Sequence, residues 1–382
     1  MSNRWPAGII RKTPVTPAGP FQNGAASGVW SLADAAYWTK QGLWPIAGNV
    51  PQFIAVAHST TPFVSAYPWS SSTGFGTKFA NPATLPVGIG FNVAFTATGN
   101  AIAVAHSSTP FISAYPWSSA GFGTKFTNPA TLPPDGSRSV AFSPAGTTIA
   151  LCTDISPYVI AYPWSGSGFG AKYTNPATLP TGFGSGVAFS PASDAIAVSH
   201  GTSPFITAYP WSVGSGFGTK YTNPATLPTN QGNGVAFSPA GNAIAVAHET
   251  SPYVSAYPWS GSGFGTKFAN PATLPAFTGG AVAFSPASDA IAVAHSGSPY
   301  ISAYQWSGSG FGAKYANPAT LPTNSGNGVA FNPAGNTIAV TNLSTPFILA
   351  YPWSVGSGFG TKFTNPATLP VGGAYGVAFT AT

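Results

Sequence analysis

The sequence predicts an all-β fold, a seven-bladed β-propeller of four-stranded blades whose first and last strands share one blade. Three observations predict it. The phrase AYPW begins at Ala66, Ala114, Ala161, Ala208, Ala256 and Ala350, with AYQW at Ala303, and NPATLP begins at Asn81, Asn128, Asn175, Asn223, Asn270, Asn317 and Asn365. A fixed period of this length marks a repeat architecture. Within each period, short runs alternate apolar and small or polar residues between Gly, Pro, Asn and Ser, the signature of strands. Only 5% of the residues are charged, against 46 Gly and 39 Pro, which leaves little material for charged helical surfaces.

Residues 1–49 stand outside the repeat and are read as an attachment arm. MSNRWPAGIIRKTPVTPAGPFQ is Pro-rich and reads as extended, and SGVWSLADAAYWTKQGLWP offers one short helix, with Ser31 as N-cap, Asp34 three residues on and Gly42 as the stop. The arm concentrates Trp5, Trp30, Tyr37, Trp38 and Trp44 without a core of its own, a composition suited to docking. From residue 50 to 382 each unit supplies four strands. GVAFS is strand a, the inner one, followed by a PAGN or PASD turn; AIAVAH is strand b, with Ala opposed to Ile and Val; PFITAYPW is strand c, with Phe205, Thr207, Tyr209 and Trp211 on one face; and GFGTKYTNPATLP carries strand d, with Phe217, Thr219 and Tyr221 opposite Lys220. Proline inside YPW lacks a ladder donor, so strand c is expected to end or bulge there. The chain enters the pattern at strand b and leaves it at a strand a, GVAFTAT. Pairing the two closes the ring and removes the open edges.

VAFSPAGNAIAVAH resembles the opening of blades in the WD-repeat propellers over residues 50–382, although YPW stands where that family has Trp-Asp and no Gly-His precedes strand a. That family's hydrogen-bonded tetrad is therefore not carried over. NGAASGVWSLADAAYWTKQGLWP resembles a segment of bacteriophage tail and fibre proteins. The resemblance implies a virion component, made in a host cytoplasm, present in many copies on the particle surface and joined to capsid or tail proteins through its arm.

Candidate chemistry is sparse. Histidines occur only at the end of strand b (His58, His106, His200, His248, His295), with Thr153 and Asn342 at the equivalent places. Equivalent positions in neighbouring blades stand about 10 Å apart, two strand spacings, whereas zinc ligands must converge on one point. A hydrogen bond at the b–c corner is the plainer role. Lys78, Lys125, Lys172, Lys220, Lys267, Lys314 and Lys362 form a basic ring, one per repeat, read as protection of an outer edge strand. With charge spread this way and Arg only at Arg4, Arg11 and Arg138, nucleic acid is not an expected partner. Cys152 is the sole cysteine. The N-terminus lacks the apolar core of a signal peptide, and no run reaches the ~20 apolar residues of a membrane helix. The six acidic residues form no pair suited to hydrolysis; Asp135, Asp154 and Arg138 read as a local salt bridge. No catalytic residue, metal or cofactor is expected.

The copies disagree mainly in the d–a loops and just after strand b, which share one face of the ring. Variable loops on a rigid scaffold are where recognition resides, which singles out Phe91, Asp135, Arg138, Asp154, Phe183, Asn230, Glu249, Phe277 and Tyr375 as a binding face. The functional expectation is a non-enzymatic phage structural protein displaying its propeller as a decoration, fibre or host-adhesion module, with contact to a host surface glycan. The alternative is a glycan-binding propeller lectin of cellular origin.

Overall fold

A computed structural model describes residues 4–5, 8–9 and 52–380. The chain divides into two compact units, Met1–Gln52 and Phe53–Thr382. In the first, Arg4–Trp5 pairs antiparallel with Gly8–Ile9, a short hairpin within the stretch expected to be extended. The expected helix, with Trp30, Tyr37, Trp38 and Trp44, lies outside the described residues.

The second unit consists of seven four-stranded antiparallel sheets, and its described residues contain no helix. In blade 4, strands a to d are Gly184–Phe189, Ala195–His200, Ile206–Ser212 and Gly216–Phe217. Blades 2, 3, 5, 6 and 7 repeat this order from Gly90, Ser137, Gly232, Gly279 and Gly326. Blade 1 joins the two ends of the repeat region: strand a is Ala374–Phe379 and strand b is Gln52–His58, in register Ile54↔Phe379 through His58↔Ala374. Phe53 N–H also donates to Thr380 Oγ1 at 3.0 Å.

The two faces of strand b explain the alternation in the sequence. Ala55 and Ala57 of blade 1 meet Ile102, Val104, Tyr115 and Trp117 of blade 2 in one cluster, and the same pairing of small face with large face recurs around the ring. Burying each Ile or Val contributes about 1.5–3 kcal/mol, and the opposing alanines leave the room to seat it. Each strand c Trp then takes edge-on aromatic contacts from its own blade and from the preceding one. Trp117 packs against Phe95 and Phe122 and against Phe79 of blade 1, with centroids 4.9–5.3 Å apart. Phe363 of blade 7 does the same to Trp69, so the aromatic contacts run through the closure. The AYPW tyrosines are fully buried and tie blades together through their hydroxyls: Tyr115 donates to Thr84 O at 2.8 Å, and Tyr67 donates to Thr368 O at 2.9 Å across the closing junction.

Two strand expectations need correcting. Strand c neither ends nor bulges at proline; it runs through to the following serine, as in Ile206–Ser212. The irregularity falls on strand d, which is only two residues long in the six AYPW blades. Proline has no N–H with which to complete the ladder. Beyond Gly216–Phe217, single bonds from Gly218 N to Pro210 O and from Tyr221 N to Ala208 O hold the outer segment. Blade 6 carries Gln305 in place of proline, and there strand d extends over Gly310–Lys314.

Candidate functional site

Strand a of every blade is interrupted at the same place. Pairing with strand b skips one residue between Gly90 and Asn92, Ser137 and Ser139, Gly184 and Gly186, Gly232 and Gly234, Gly279 and Ala281, Gly326 and Gly328, and Ala374 and Gly376. The skipped residues are Phe91, Arg138, Ser185, Asn233, Gly280, Asn327 and Tyr375, a β-bulge in each blade. A bulge leaves its extra residue out of the ladder and re-aims its side chain. All seven line a single cavity of about 450 Å³ on the ring axis, walled by the inner strands of every blade. Close packing explains the glycines on either side: a Cβ on Gly90 would lie 2.3 Å from Phe63 O, and one on Gly376 would lie 2.7 Å from Asn92 Cα.

Because the bulge position varies, the cavity is chemically two-sided. Tyr375 and Phe91 stand edge to face with centroids 5.7 Å apart. The Arg138 guanidinium carbon lies 5.8 Å from the Phe91 centroid and 5.3 Å from that of Phe183, within cation–π range of both. Its Nε donates to Asp154 Oδ1, a pair whose side chains are 44% and 31% exposed. Across the cavity the wall is amide and hydroxyl. Gln231 Nε2 donates to Asn233 Oδ1 at 2.9 Å, Asn233 Nδ2 donates to Gly279 O at 2.9 Å, and Asn327 Nδ2 donates to Ala374 O at 3.1 Å. Among the described residues lining the cavity, Arg138 is the one Lys, Arg, His, Asp or Glu. The arrangement can stack an apolar ring face, hold an oxyanion and hydrogen-bond hydroxyls.

The sequence-selected binding residues divide accordingly. Phe91, Arg138 and Tyr375 line the cavity; Phe183 and Asp154 reach it through Arg138. Asp135 accepts from Gly136 N at 2.8 Å, and Asn230 Oδ1 accepts from Gln231 N at 2.8 Å, so both support their own turns. Glu249 N donates to Gln231 O, and Phe277 is 67% exposed at a φ of 62°. Neither of these lines the cavity. Ser185, Asn233, Gly280, Asn327 and Gln231 were not selected from the sequence. The signal was present, since the middle residue of the short motif before VAF differs from blade to blade, but it reads as loop variation until the bulge is seen.

The histidines and lysines have local roles. Each His is fully buried, and its Nε2 meets the Ser or Thr seven residues on: Ser65, Ser113, Thr207, Ser255 and Ser302, at 2.9–3.0 Å. Burial pushes their pKa values down to about 4. In the two blades without histidine the residue seven positions on is apolar, Ile160 after Thr153 and Leu349 after Asn342, so both members of the pair change together. Among the described residues, no three His, Cys, Asp or Glu side chains gather as a metal would need. Each ring lysine donates to the Asn three residues on, as Lys78 to Asn81 at 2.5 Å and Lys362 to Asn365 at 2.6 Å. Lys125, Lys172, Lys220, Lys267 and Lys314 do so with Asn128, Asn175, Asn223, Asn270 and Asn317. In six blades these lysines lie beyond the short strand d, so they staple the NPATLP segment rather than guard a strand edge. Partial burial lowers their pKa values. Burial raises the pKa of the Cys152 thiol, which packs in the core between blades 3 and 4.

No protein-family model matches this chain, and no curated protein does. Solved structures match the propeller. A provisionally named 6-phosphogluconolactonase from Bacteroides fragilis is 12% identical, with a TM-score of 0.70 over 87% of this chain and 98% of its own. A second of that name, from Bacteroides uniformis, is 13% identical at a TM-score of 0.67 over 86% and 99%. The periplasmic gluconolactonase of Pseudomonas aeruginosa is 14% identical at a TM-score of 0.64, also over 86% and 99%. At these identities the likeness is one of fold. It nonetheless corrects the functional expectation: these three neighbours are named as lactonases, not as virion proteins or lectins, and neither a phage structural role nor the exclusion of an enzyme stands. The WD-repeat resemblance reduces to the seven-bladed fold itself.

Proposed function

We propose that this protein takes a sugar-lactone-class ligand, a small polyhydroxylated ring, in its axial cavity. The observation that carries the reading is the set of seven bulged residues, which bring Tyr375, Phe91 and Arg138 to one side of a cavity and Ser185, Asn233 and Asn327 to the other. Sugar rings have an apolar face suited to an aromatic wall and a rim of hydroxyls suited to amides. A cavity of about 450 Å³ lies within the range of small-molecule sites. The names of the structural neighbours, 6-phosphogluconolactonase and gluconolactonase, belong to this ligand class and favour it over other small polar molecules.

Titration calorimetry with glucono-δ-lactone tests the reading, with ring opening to the hydroxy acid followed in parallel by pH-stat. Saturable binding is expected, and the bulky Ser185→Trp variant, which fills the cavity from blade 4, is expected to abolish it without lowering the melting temperature. Saturable acceleration of ring opening adds turnover to binding. Unchanged binding by the filled variant would remove the axial cavity as the site.

A further inference from the structure

Seven-fold repetition makes departures informative, and blade 3 departs in one coherent place. It alone carries Arg at the bulge position and Asp directly after strand b, where Arg138 and Asp154 meet. Arg138 is also held from both sides, with Phe91 of blade 2 at 5.8 Å and Phe183, which precedes strand a of blade 4, at 5.3 Å. Residues from three consecutive blades thus fix one guanidinium at the edge of the axial cavity. Its acidic partner Asp154 is partly exposed, and such pairs contribute little. The arginine is therefore firmly positioned by the rings and loosely neutralised by the carboxylate.

Resting on the ligand reading above and deepening it, we infer that Arg138 is the oxyanion anchor of the axial site and that Asp154 is its displaceable counter-ion. The ligand then carries a carboxylate or phosphate, which exchanges for Asp154 on the guanidinium and takes its planar, forked donor set. The polyol part of the ligand lies toward Ser185, Asn233 and Asn327. Phe91 and Phe183 hold the guanidinium plane while the partner changes, so discrimination is for anionic over neutral sugars. Asp154 sets the strength of that preference.

Binding of gluconate, glucose 6-phosphate and neutral glucono-δ-lactone, measured by calorimetry at one fixed ionic strength on the full chain, tests this. Arg138→Gln is expected to weaken whichever anionic probe binds by at least about tenfold, the scale of a charge-assisted hydrogen bond, and to change the neutral lactone less than twofold. Asp154→Asn is expected to tighten the anionic probe about two- to fivefold, the worth of an exposed ion pair. Arg138→Lys, which keeps the charge but not the stacked fork, is expected to fall between wild type and Arg138→Gln. The two anionic arms separate a carboxylate from a phosphate ligand. Equal losses for neutral and anionic probes in Arg138→Gln, or weaker anion binding in Asp154→Asn with an unchanged melting temperature, would overturn the inference. Arg138-dependent anion binding without any lactone binding would uphold the anchor and remove the lactone reading, whereas no binding by any probe would overturn both.

Discussion

Each strand b histidine is fully buried, so a charge on its ring would lose the hydration it has in the unfolded chain. A pKa near 4 in the folded chain against the ordinary 6.5 means that between these values the unfolded chain binds protons the native one refuses. Stability contributed this way is full above pH 6.5 and is lost as pH falls toward 4, on the order of 1 kcal/mol per histidine per pH unit. The melting temperature is therefore expected to drop steeply between pH 7 and pH 5, and a flat profile would show that the imidazoles are not held neutral. Replacing His200 and Thr207 together by Thr and Ile, the pair found in blade 3, is expected to flatten the slope by one histidine's share. Sequence alone showed that His, Thr and Asn are exchangeable at this place. The histidines' link to Ser65 or Thr207 became visible only with the b–c register, because the hydrogen bond spans two strands rather than one corner.

Between strands, proline explains an asymmetry that propensity does not. Five of the seven outer segments share GFGTK with one another, and GFGAK appears in the other two, blades 3 and 6. Only blade 6 forms a five-residue strand d, and Gln305 is what distinguishes its strand c. Gln305→Pro is expected to shorten that strand to Gly310–Phe311, with faster amide hydrogen exchange over residues 312–314 and a stability loss of about 1 kcal/mol, the net worth of one hydrogen bond. Unchanged protection there would assign the longer strand to another cause. The four-strand reading of each unit was legible because alternation survives in strands a to c. The length of strand d was not legible, since Phe217, Thr219 and Tyr221 keep the alternating pattern after the pairing has stopped. The bulge in strand a was hidden for the opposite reason: glycine beside the variable residue looks like loop, although it is needed at Gly90 because a Cβ there would lie 2.3 Å from the Phe63 carbonyl oxygen.

The whole ring depends on one long-range pairing. Strand b of blade 1 and strand a at the other end of the repeat region supply a single sheet, and every other sheet is built from consecutive strands. Removing residues 374–382 takes Val377 and Phe379 out of the closing core and strips part of the cover from Ile54 and Val56. That deletion is expected to abolish cooperative thermal unfolding of the propeller, and a peptide of sequence AYGVAFTAT is expected to restore part of it. A deleted chain that melts like the wild type would show that the ring holds without its closure. Blade number and closure could be read from the sequence because both follow from counting units and noting where the first and last are cut. The axial site could not, because it belongs to no single unit: seven positions about one period apart converge only when the ring is formed.

The closing strand also has a consequence for purity of assembly. Its partner, QFIAVAH, differs little from the AIAVAH strands of the other blades, and nothing in GVAF marks it as belonging to the same molecule. In a concentrated refolding mixture, the final strand of one chain can complete the first blade of the next. Such an exchange closes on two members when it is reciprocal, and when it is not it yields strings of propellers joined by swapped strands. Dilution during refolding should therefore decide between rings and chains of rings, with every blade looking native in both.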